Sequence, residues 1–439
     1  MLLNLYDKLE IFFWRRLMFR KFVCTLLAVF VFISAVPAAD IETDAAGLSF
    51  EEYLAEGVEN FNGMIDITRY VNNGGWSKDE MKRNILNFYV SQPELFYISN
   101  TFNIKYGNNK YYVLFDYLYS EKEISSMQEE MDKAALKAIA AIDDNMTDEQ
   151  KALVVHDYLI LNCEYDYSLK NYTAYDCLVK KKAVCQGYTL AYIYILQNYL
   201  GIQCTAAVSE SQNHAWNYVN IGNSWYHVDL TADDASYSDY SGKSYDAAGK
   251  VMHENFLLSD SAAKKSSGLH RNWRIVGGFP KAADTRYDNY YWRDVTSQII
   301  EYDGKWYYCK GTSASGNKLY SGLYRYNPST GKSTLLKSID TRWYLSRNSK
   351  TRETYKYGKT WYSSSFSRLL LIDGKFYLNS SKCIFRYDPS TGKMKKIYTL
   401  NKGETQQIYS IVQNGKNKIR ICYKPDLTYS DNFLTLKLK

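Results

Sequence analysis

The stretch AVCQGYTLAYIYILQNYL, Ala183 to Leu200, is apolar on every side of a helix, and that restricts the architecture more than any other feature of the chain. A surface helix carries one apolar stripe. A helix that is apolar all round must be covered from all sides, so it belongs at the centre of its domain. Gly201 supplies a left-handed stop after the last turn. Gly187, in the first turn, costs a helix about 1 kcal/mol relative to alanine and so marks a close approach of backbone or substrate. Cys185 opens the helix. There the first N–H groups lack an intrahelical partner and the dipole is positive, which favours a thiolate and makes Cys185 a candidate nucleophile.

Two alternating runs follow, NHAWNYVNI and SWYHVDLT, around Gly222-Asn223, a hairpin signal. A two-residue loop, or a four-residue loop in the same register, sets Asp229 across from Trp216 and diagonal to His214, with all three on one face. An odd loop or a bulge would turn Asp229 away. Upstream, TDEQKALVVHDYLILNC has Thr147 and Gln150 in capping-box positions and predicts a helix through Leu161, with His156 inside it as a packed or solvated residue. SEKEISSMQEEMDKAALKAIAAI predicts a long amphipathic helix, and FNIKYGNNKYYVLFDYLY a second hairpin around Gly107-Asn108-Asn109.

Thiol chemistry needs a thiolate, a base that takes and returns its proton, and a third group that orients the base. Cys185, His214 and Asp229 supply these in order. AVCQGYTLAYIYILQNYLGIQ and then NHAWNYVNIGNSWYHVDLT resemble the transglutaminase-like superfamily. The agreement extends to YLILNCEYDYS upstream and HENFLLSD downstream, roughly residues 140–275, about a third of the chain. The resemblance implies a papain-like core with Cys185 as nucleophile, His214 as general base and acid, and Asp229 as the orienting carboxylate. It implies an oxyanion site at the Cys185 N–H with a second donor, for which Tyr165 and Gln186 are candidates. Trp216 and Trp225 flank the hairpin as packing residues or as a cover over the site. His227 and His253 are read as structural.

With 439 residues the chain is long enough for two or three domains. Arg15, Arg16, Arg20 and Lys21 precede the apolar run FVCTLLAVFVFISAV, and VPAAD follows, a secretory signal pattern with cleavage near Ala38 or Ala39. The apolar run is shorter than the roughly 20 residues of a spanning helix, so no stable membrane span is expected. Residues 40–285 carry 21 basic and 34 acidic side chains, a net −13, whereas residues 286–439 carry 28 and 11, a net +17. This split sets a boundary near residue 285 and points the basic part toward an anionic surface such as a cell-wall polymer, not toward nucleic acid. Seven cysteines remain after Cys24 leaves with the signal, none in a C-x-x-C pair, so buried free thiols are expected and no zinc site is supported.

The basic part repeats itself. LYRYNPSTGKSTLL at 323–336 recurs as IFRYDPSTGKMKKI at 384–397, YDGKWYY recurs as IDGKFYL, and QNGKNKIRI at 413–421 is a fainter third copy. Each Pro-Ser-Thr-Gly-Lys segment reads as a hairpin turn. NPSTGKS is not a phosphate-binding loop, because the glycine five positions before Gly331 is missing and the second copy has Met394 where that loop needs Ser or Thr. The repeats resemble propeller blades, although the spacing is uneven: Gly304 to Gly374 is 70 residues and Gly374 to Gly415 is 41.

The expected fold is α+β. A papain- or transglutaminase-like core has the cysteine helix packed on an antiparallel sheet that carries histidine and aspartate, and an all-β, propeller-like repeat domain follows. The expected divisions are a signal at 1–39, an α+β region at 40–140, the catalytic domain at 141–285 and the basic repeat domain at 286–439. The expected protein is secreted or attached to the cell surface. It would act on amide or peptide bonds of a protein or peptide substrate through a Cys185 thioester, with no cofactor or metal, and analogy favours water over an amine as acceptor. The alternative is a surface adhesin in which the core no longer reacts and the repeats bind.

Overall fold

The helices start where the chain supplies caps and the hairpins turn where asparagine or glycine accepts a left-handed backbone. The computed structural model describes residues 47–235, 248–315, 318–340, 343, 366–403, 405–425 and 432–438. The expected signal segment and its cleavage point lie outside the described residues. Of residues 1–52, only 47–52 are described; there the Ser49 N–H donates to the Glu52 carboxylate at 2.8 Å, at the start of helix α1 (Phe50–Glu59). Residues 53–439 form one compact unit.

After α1 come strand β1 (Ile65–Asp66) and helices α2 (Thr68–Gly74) and α3 (Lys78–Ser91), the last opened by a Ser77/Glu80 capping box. Strands β2 (Ile98–Gly107) and β3 (Lys110–Tyr117) pair through Gly107 and Lys110. Asn108 and Asn109 both have positive φ, 52° and 59°, the turn whose twist matches paired strands. Helix α4 (Glu121–Ala138) is the expected amphipathic helix, and α5 (Asp148–Asn162) begins at the expected Thr147/Gln150 box. Two-residue strands β4 (Glu164–Tyr165) and β5 (Lys182–Ala183) pair in parallel on either side of a π-helical turn, Asp176–Lys180, that the sequence pattern does not announce.

Helix α6 (Cys185–Leu200) is the central element, with every residue from Gly187 to Leu196 buried. It packs on strands β6 (Cys204–Ser209) and β7 (His214–Ile221) on one side and on α3, α4 and α5 on the other. Its tyrosines bury their rings and still satisfy their hydroxyls: Tyr188 donates to Asp234 at 2.6 Å and Tyr192 to the Ala152 carbonyl at 2.9 Å. Gly201, at φ 67°, ends the helix as expected. The sheet is completed by β8 (Ser224–Val228), in the order β8-β7-β6 and then β9 (Arg274–Ile275). Between β8 and β9 lie the one-turn helix α7 (Leu230–Asp233) and helix α8 (Asp260–Ser266), which starts on a Ser259 cap.

From Ile300 on, every regular element in the described residues is a β-strand, and the strands form three antiparallel meanders. The first is β10 (Ile300–Tyr302), β11 (Lys305–Ser315), β12 (Lys318–Asn327) and β13 (Lys332–Asp340). The second is β14 (Leu369–Ile372), β15 (Lys375–Asn379), β16 (Cys383–Asp388) and β17 (Lys393–Thr399). The third has three strands, β18 (Gln407–Gln413), β19 (Lys418–Lys424) and β20 (Asn432–Lys437). The sequence repeat is a repeat of the meander: both Asp-Gly turns have two left-handed residues, and both Pro-Ser-Thr-Gly turns join Asn327 to Lys332 and Asp388 to Lys393. Even the bulges match, at Leu323/Tyr324 and Ile384/Phe385. The uneven spacing comes mainly from the connections, 28 residues between β13 and β14 against seven between β17 and β18, and in part from the greater length of β11 and β12 over β15 and β16. NPSTGKS is a hairpin turn in which the Asn327 side chain accepts the Ser329 N–H. Neighbouring meanders share apolar cores, Tyr307, Leu323, Phe376 and Leu378 between the first two and Ile372, Ile384, Ile411 and Ile421 between the next two.

Candidate active site

Cys185 is placed by a loop organised around one carboxylate. Asp166 accepts the N–H groups of Ser168, Lys170 and Asn171 at 3.0 Å each and the Ser168 hydroxyl at 2.7 Å. Those bonds outweigh the opposing effect of burial and hold its carboxyl well below the usual range. The Asn171 carbonyl so fixed accepts the Val184 N–H at 2.8 Å, one residue before the thiol. Gly187 is where this loop presses on the helix: a Cβ there would stand 2.7 Å from the Ala183 Cβ and 3.0 Å from the Thr173 carbonyl oxygen. Of the two reasons open for that glycine, the structure supplies backbone approach.

His214 begins β7 directly after Asn213, whose left-handed φ of 47° ends a short 3-10 turn. On the far strand the turn at Gly222 and Asn223 has φ of 57° and 66°, so Ile221 pairs with Ser224 and Asn217 with Val228. This is the even register, and it carries Asp229 onto the face of His214, where His214 Nε2 lies 2.7 Å from Asp229 Oδ2. Nδ1 of His214 is then the ring nitrogen left to face the Cys185 thiol, which is placed where the imidazole and the Ala215 N–H favour its anion. The Asn217 amide binds the Thr189 carbonyl at 2.9 Å and ties the strand to the cysteine helix.

The charges follow from this geometry. Burial alone would raise the Cys185 pKa, but the His214 hydrogen bond and charge, with the Ala215 N–H, hold it below its ordinary value. Burial alone would lower the His214 pKa, but the Asp229 charge and hydrogen bond outweigh it and push it up to about 10. Burial acts against the Asp229 anion too, yet the two histidines that bond it keep the carboxyl far below the usual range. The site therefore favours a thiolate beside an imidazolium. Elsewhere burial pushes the thiols of Cys177 and Cys204 well up and that of Cys309 to about 12. Cys163, Cys177, Cys185, Cys204, Cys309 and Cys383 are free thiols.

The second histidine on Asp229 is His270, whose Nε2 lies 2.8 Å from the same Oδ2 atom. Nothing in the local sequence marks it, because its partner is 41 residues away and the stretch around it has no period. Each of the five histidines in the chain is buried and lies against an aspartate: His156 and His253 on Asp157, His214 and His270 on Asp229, and His227 on Asp260. His156 also reaches Asp233 at 3.2 Å, and Asp233 in turn accepts the Asn255 N–H at 2.9 Å. His253, expected to be structural, is so, bonding to the Val295 carbonyl and Asp157 at 3.0 Å each.

Trp216 packs and does not cover: it is buried between the rings of His214 and His270, and its indole N–H donates to His227 Nδ1 at 2.9 Å. Trp225 stacks on Tyr218 and Phe279. Of the two suggested oxyanion donors, Tyr165 sits on β4 paired with Ala183 and turns its ring to Tyr167, while the Gln186 side-chain nitrogen is buried with no hydrogen-bond partner. The ring nitrogens of His214 and His270 could ligate a metal together with Asp229, but their 2.7 and 2.8 Å separations from one oxygen are hydrogen-bond spacings. Donors around a tetrahedral zinc ion stand roughly 3.3 Å apart, given bonds of about 2 Å.

Residues 137–230, which contain Cys185, His214 and Asp229, match the family model of the transglutaminase-like superfamily. No curated protein matches the chain. Among solved structures, the extracellular domain of a hybrid two-component system protein from B. thetaiotaomicron aligns at 16% identity over 51% of this chain and 26% of that chain, with a TM-score of 0.22. The chain thus spans about a quarter of that structure's length. Among the described residues, no helix is long and apolar enough to cross a membrane.

Proposed function

We propose that this chain is an exported thiol enzyme that opens amide or peptide bonds through a Cys185 thioester, with water as the acceptor. One observation carries the proposal: a cysteine at the first position of a buried helix, beside an imidazole that a buried carboxylate orients at 2.7 Å. The Cys185 Sγ attacks the substrate carbonyl carbon, and the resulting oxyanion is met by the Cys185 N–H at the open end of α6. His214 passes its Nδ1 proton to the leaving amine, the C–N bond breaks, and an acyl thioester remains. His214 then takes a proton from water as it attacks the thioester, and the thiolate leaves. Asp229 keeps His214 in the tautomer and orientation that both steps need. The export reading rests on basic residues ahead of an apolar run near the N-terminus. The basic meanders are read as propeller-like blades that carry the enzyme to an anionic wall polymer.

The test is acyl-enzyme trapping. Purified protein is incubated with peptides from secreted and wall proteins, quenched in acid and mapped by mass. The adduct is expected on Cys185, absent from Cys185→Ala, and formed orders of magnitude more slowly by Asp229→Ala. Adducts that persist in Cys185→Ala would end the proposal, and products carrying an added amine would replace water by an amine acceptor.

A further inference from the structure

The Asp229 oxygen that faces His214 has no spare bonding capacity. Oδ1 accepts the Ala232 N–H at 3.0 Å as the cap of α7, and Oδ2 takes both His214 Nε2, at 2.7 Å, and His270 Nε2, at 2.8 Å. His270 is itself held: its Nδ1 lies 3.2 Å from the Ala263 carbonyl oxygen and 3.2 Å from the Ser266 hydroxyl, and its ring packs on Trp216. Two rings on one oxygen divide what that oxygen can give to either.

We infer that His270 is a positioning residue for the Cys185–His214 pair, and that by occupying the Asp229 oxygen that His214 uses it limits how tightly the carboxylate holds the His214 proton. The inference rests on the thiol-enzyme reading. An imidazolium bound by an otherwise unengaged buried carboxylate is a poor acid, yet His214 must deliver its proton to the leaving amine. A hydrogen bond donated to the carboxylate from its other side stabilises the anion by itself and weakens its pull on His214. The other titratable or charged groups near the three residues are Cys185 from α6, His227 from β8, and Asp260 and Lys264 from α8. None of these four hydrogen-bonds Asp229 in the structure. His270 alone shares its oxygen with His214.

The test needs no substrate. The rate of iodoacetamide alkylation of Cys185 in the full chain is followed against pH by peptide mass, in the parent and in three variants. His270→Asn has its amide near the Nδ1 position and withdraws the donor from Asp229, His270→Gln keeps a donor near the Nε2 position, and His270→Leu removes both. In the parent, alkylation has a plateau that ends where the imidazolium loses its proton. That upper limb is expected to move up by about one pH unit in the Asn and Leu variants, the scale of one hydrogen bond to a charged group, and to return to the parental position in His270→Gln. A purely structural role would lower the melting temperature and leave the limb in place. Coincident limbs in parent and Asn variant, or a downward shift, would overturn the role of His270 while leaving Cys185 reactive. A parent in which Cys185 labels no faster than Cys383 would sink the thiol-enzyme reading and this inference with it.

Discussion

Asp157 accepts three buried donors, and replacing it by asparagine puts a number on what they contribute. His156 Nδ1 and His253 Nε2 each lie 3.0 Å from Oδ1, and the Ile299 N–H donates to Oδ2 at 2.9 Å. All of these side chains are buried. An amide of the same shape keeps one oxygen and presents N–H groups to the donors that the other oxygen served. Removing one member of a buried charged network costs about 3–5 kcal/mol, a large part of the 5–15 kcal/mol that holds a typical protein folded. The loss should depend on pH in a definite sense. The Asp157 and Asp233 carboxylates overcome the effect of burial and push the His156 pKa up to about 9, from 6.5. A raised folded-state pKa means a stabilisation fully present below about pH 6.5 and lost as the pH climbs through about 9, worth roughly 3 kcal/mol in all. Urea midpoints by tryptophan fluorescence at pH 6 and pH 10, for the parent and Asp157→Asn, check this. The gap between the two proteins should be widest at pH 6 and shrink at pH 10. Asp260→Asn, which removes a partner with a quarter-exposed side chain, should cost about 1 kcal/mol at most. A gap below 1 kcal/mol at pH 6, or one that widens at pH 10, would refute the assignment of His156 as a charged partner of Asp157.

Two further outcomes follow from packing and charge. Gly187→Ala should lower stability by about 1–3 kcal/mol and slow Cys185 alkylation, because the new methyl group forces the Ala183 strand and the Thr173 loop off the start of the cysteine helix; an unchanged alkylation rate would mean the loop gives way freely. Binding of the full chain to an anionic wall polymer should weaken as salt screens it and fall further when the exposed Lys393, Lys395 and Lys396 of β17 are changed to glutamate, measured by co-sedimentation; binding indifferent to both changes would make the basic surface merely solubilising.

What the sequence reveals of this site is what short-range rules control. Gly222-Asn223 admits the tight left-handed turn, that turn sets an even register, and the register decides which way Asp229 faces. The capping box at Thr147, the stop at Gly201 and the all-round burial of the cysteine helix are legible for the same reason. His270 is not, since its value lies in a bond to a residue on another element and no periodic pattern marks its loop. His253 is visible as a structural residue and His156 as a packed or solvated one, but their shared aspartate depends on how α5 meets a distant loop. The tail shows the same division. Its turns and repeat are plain, down to bulges at matching positions, while the stacking of one meander on the next is decided by side chains such as Phe376 and Ile384 that look alike in any β-sheet.

The Ala248 carbonyl accepts both Arg368 Nε and the Ser410 hydroxyl, the Arg293 guanidinium binds the carbonyls of His253, Glu254 and Phe256, and Asp157 takes the Ile299 N–H. These bonds give the chain an order of assembly. As it emerges from its N-terminus, the stretch with the nucleophile is complete long before Ile299, Arg368 and Ser410 arrive, so a nascent chain cut at residue 285 holds a carboxylate and a turn carbonyl still waiting for partners. Recombination that exchanged the repeats for an unrelated module would leave the same vacancies. Heredity is thus expected to pass the two halves on together, as one folding unit whose last strands finish what its first helices begin.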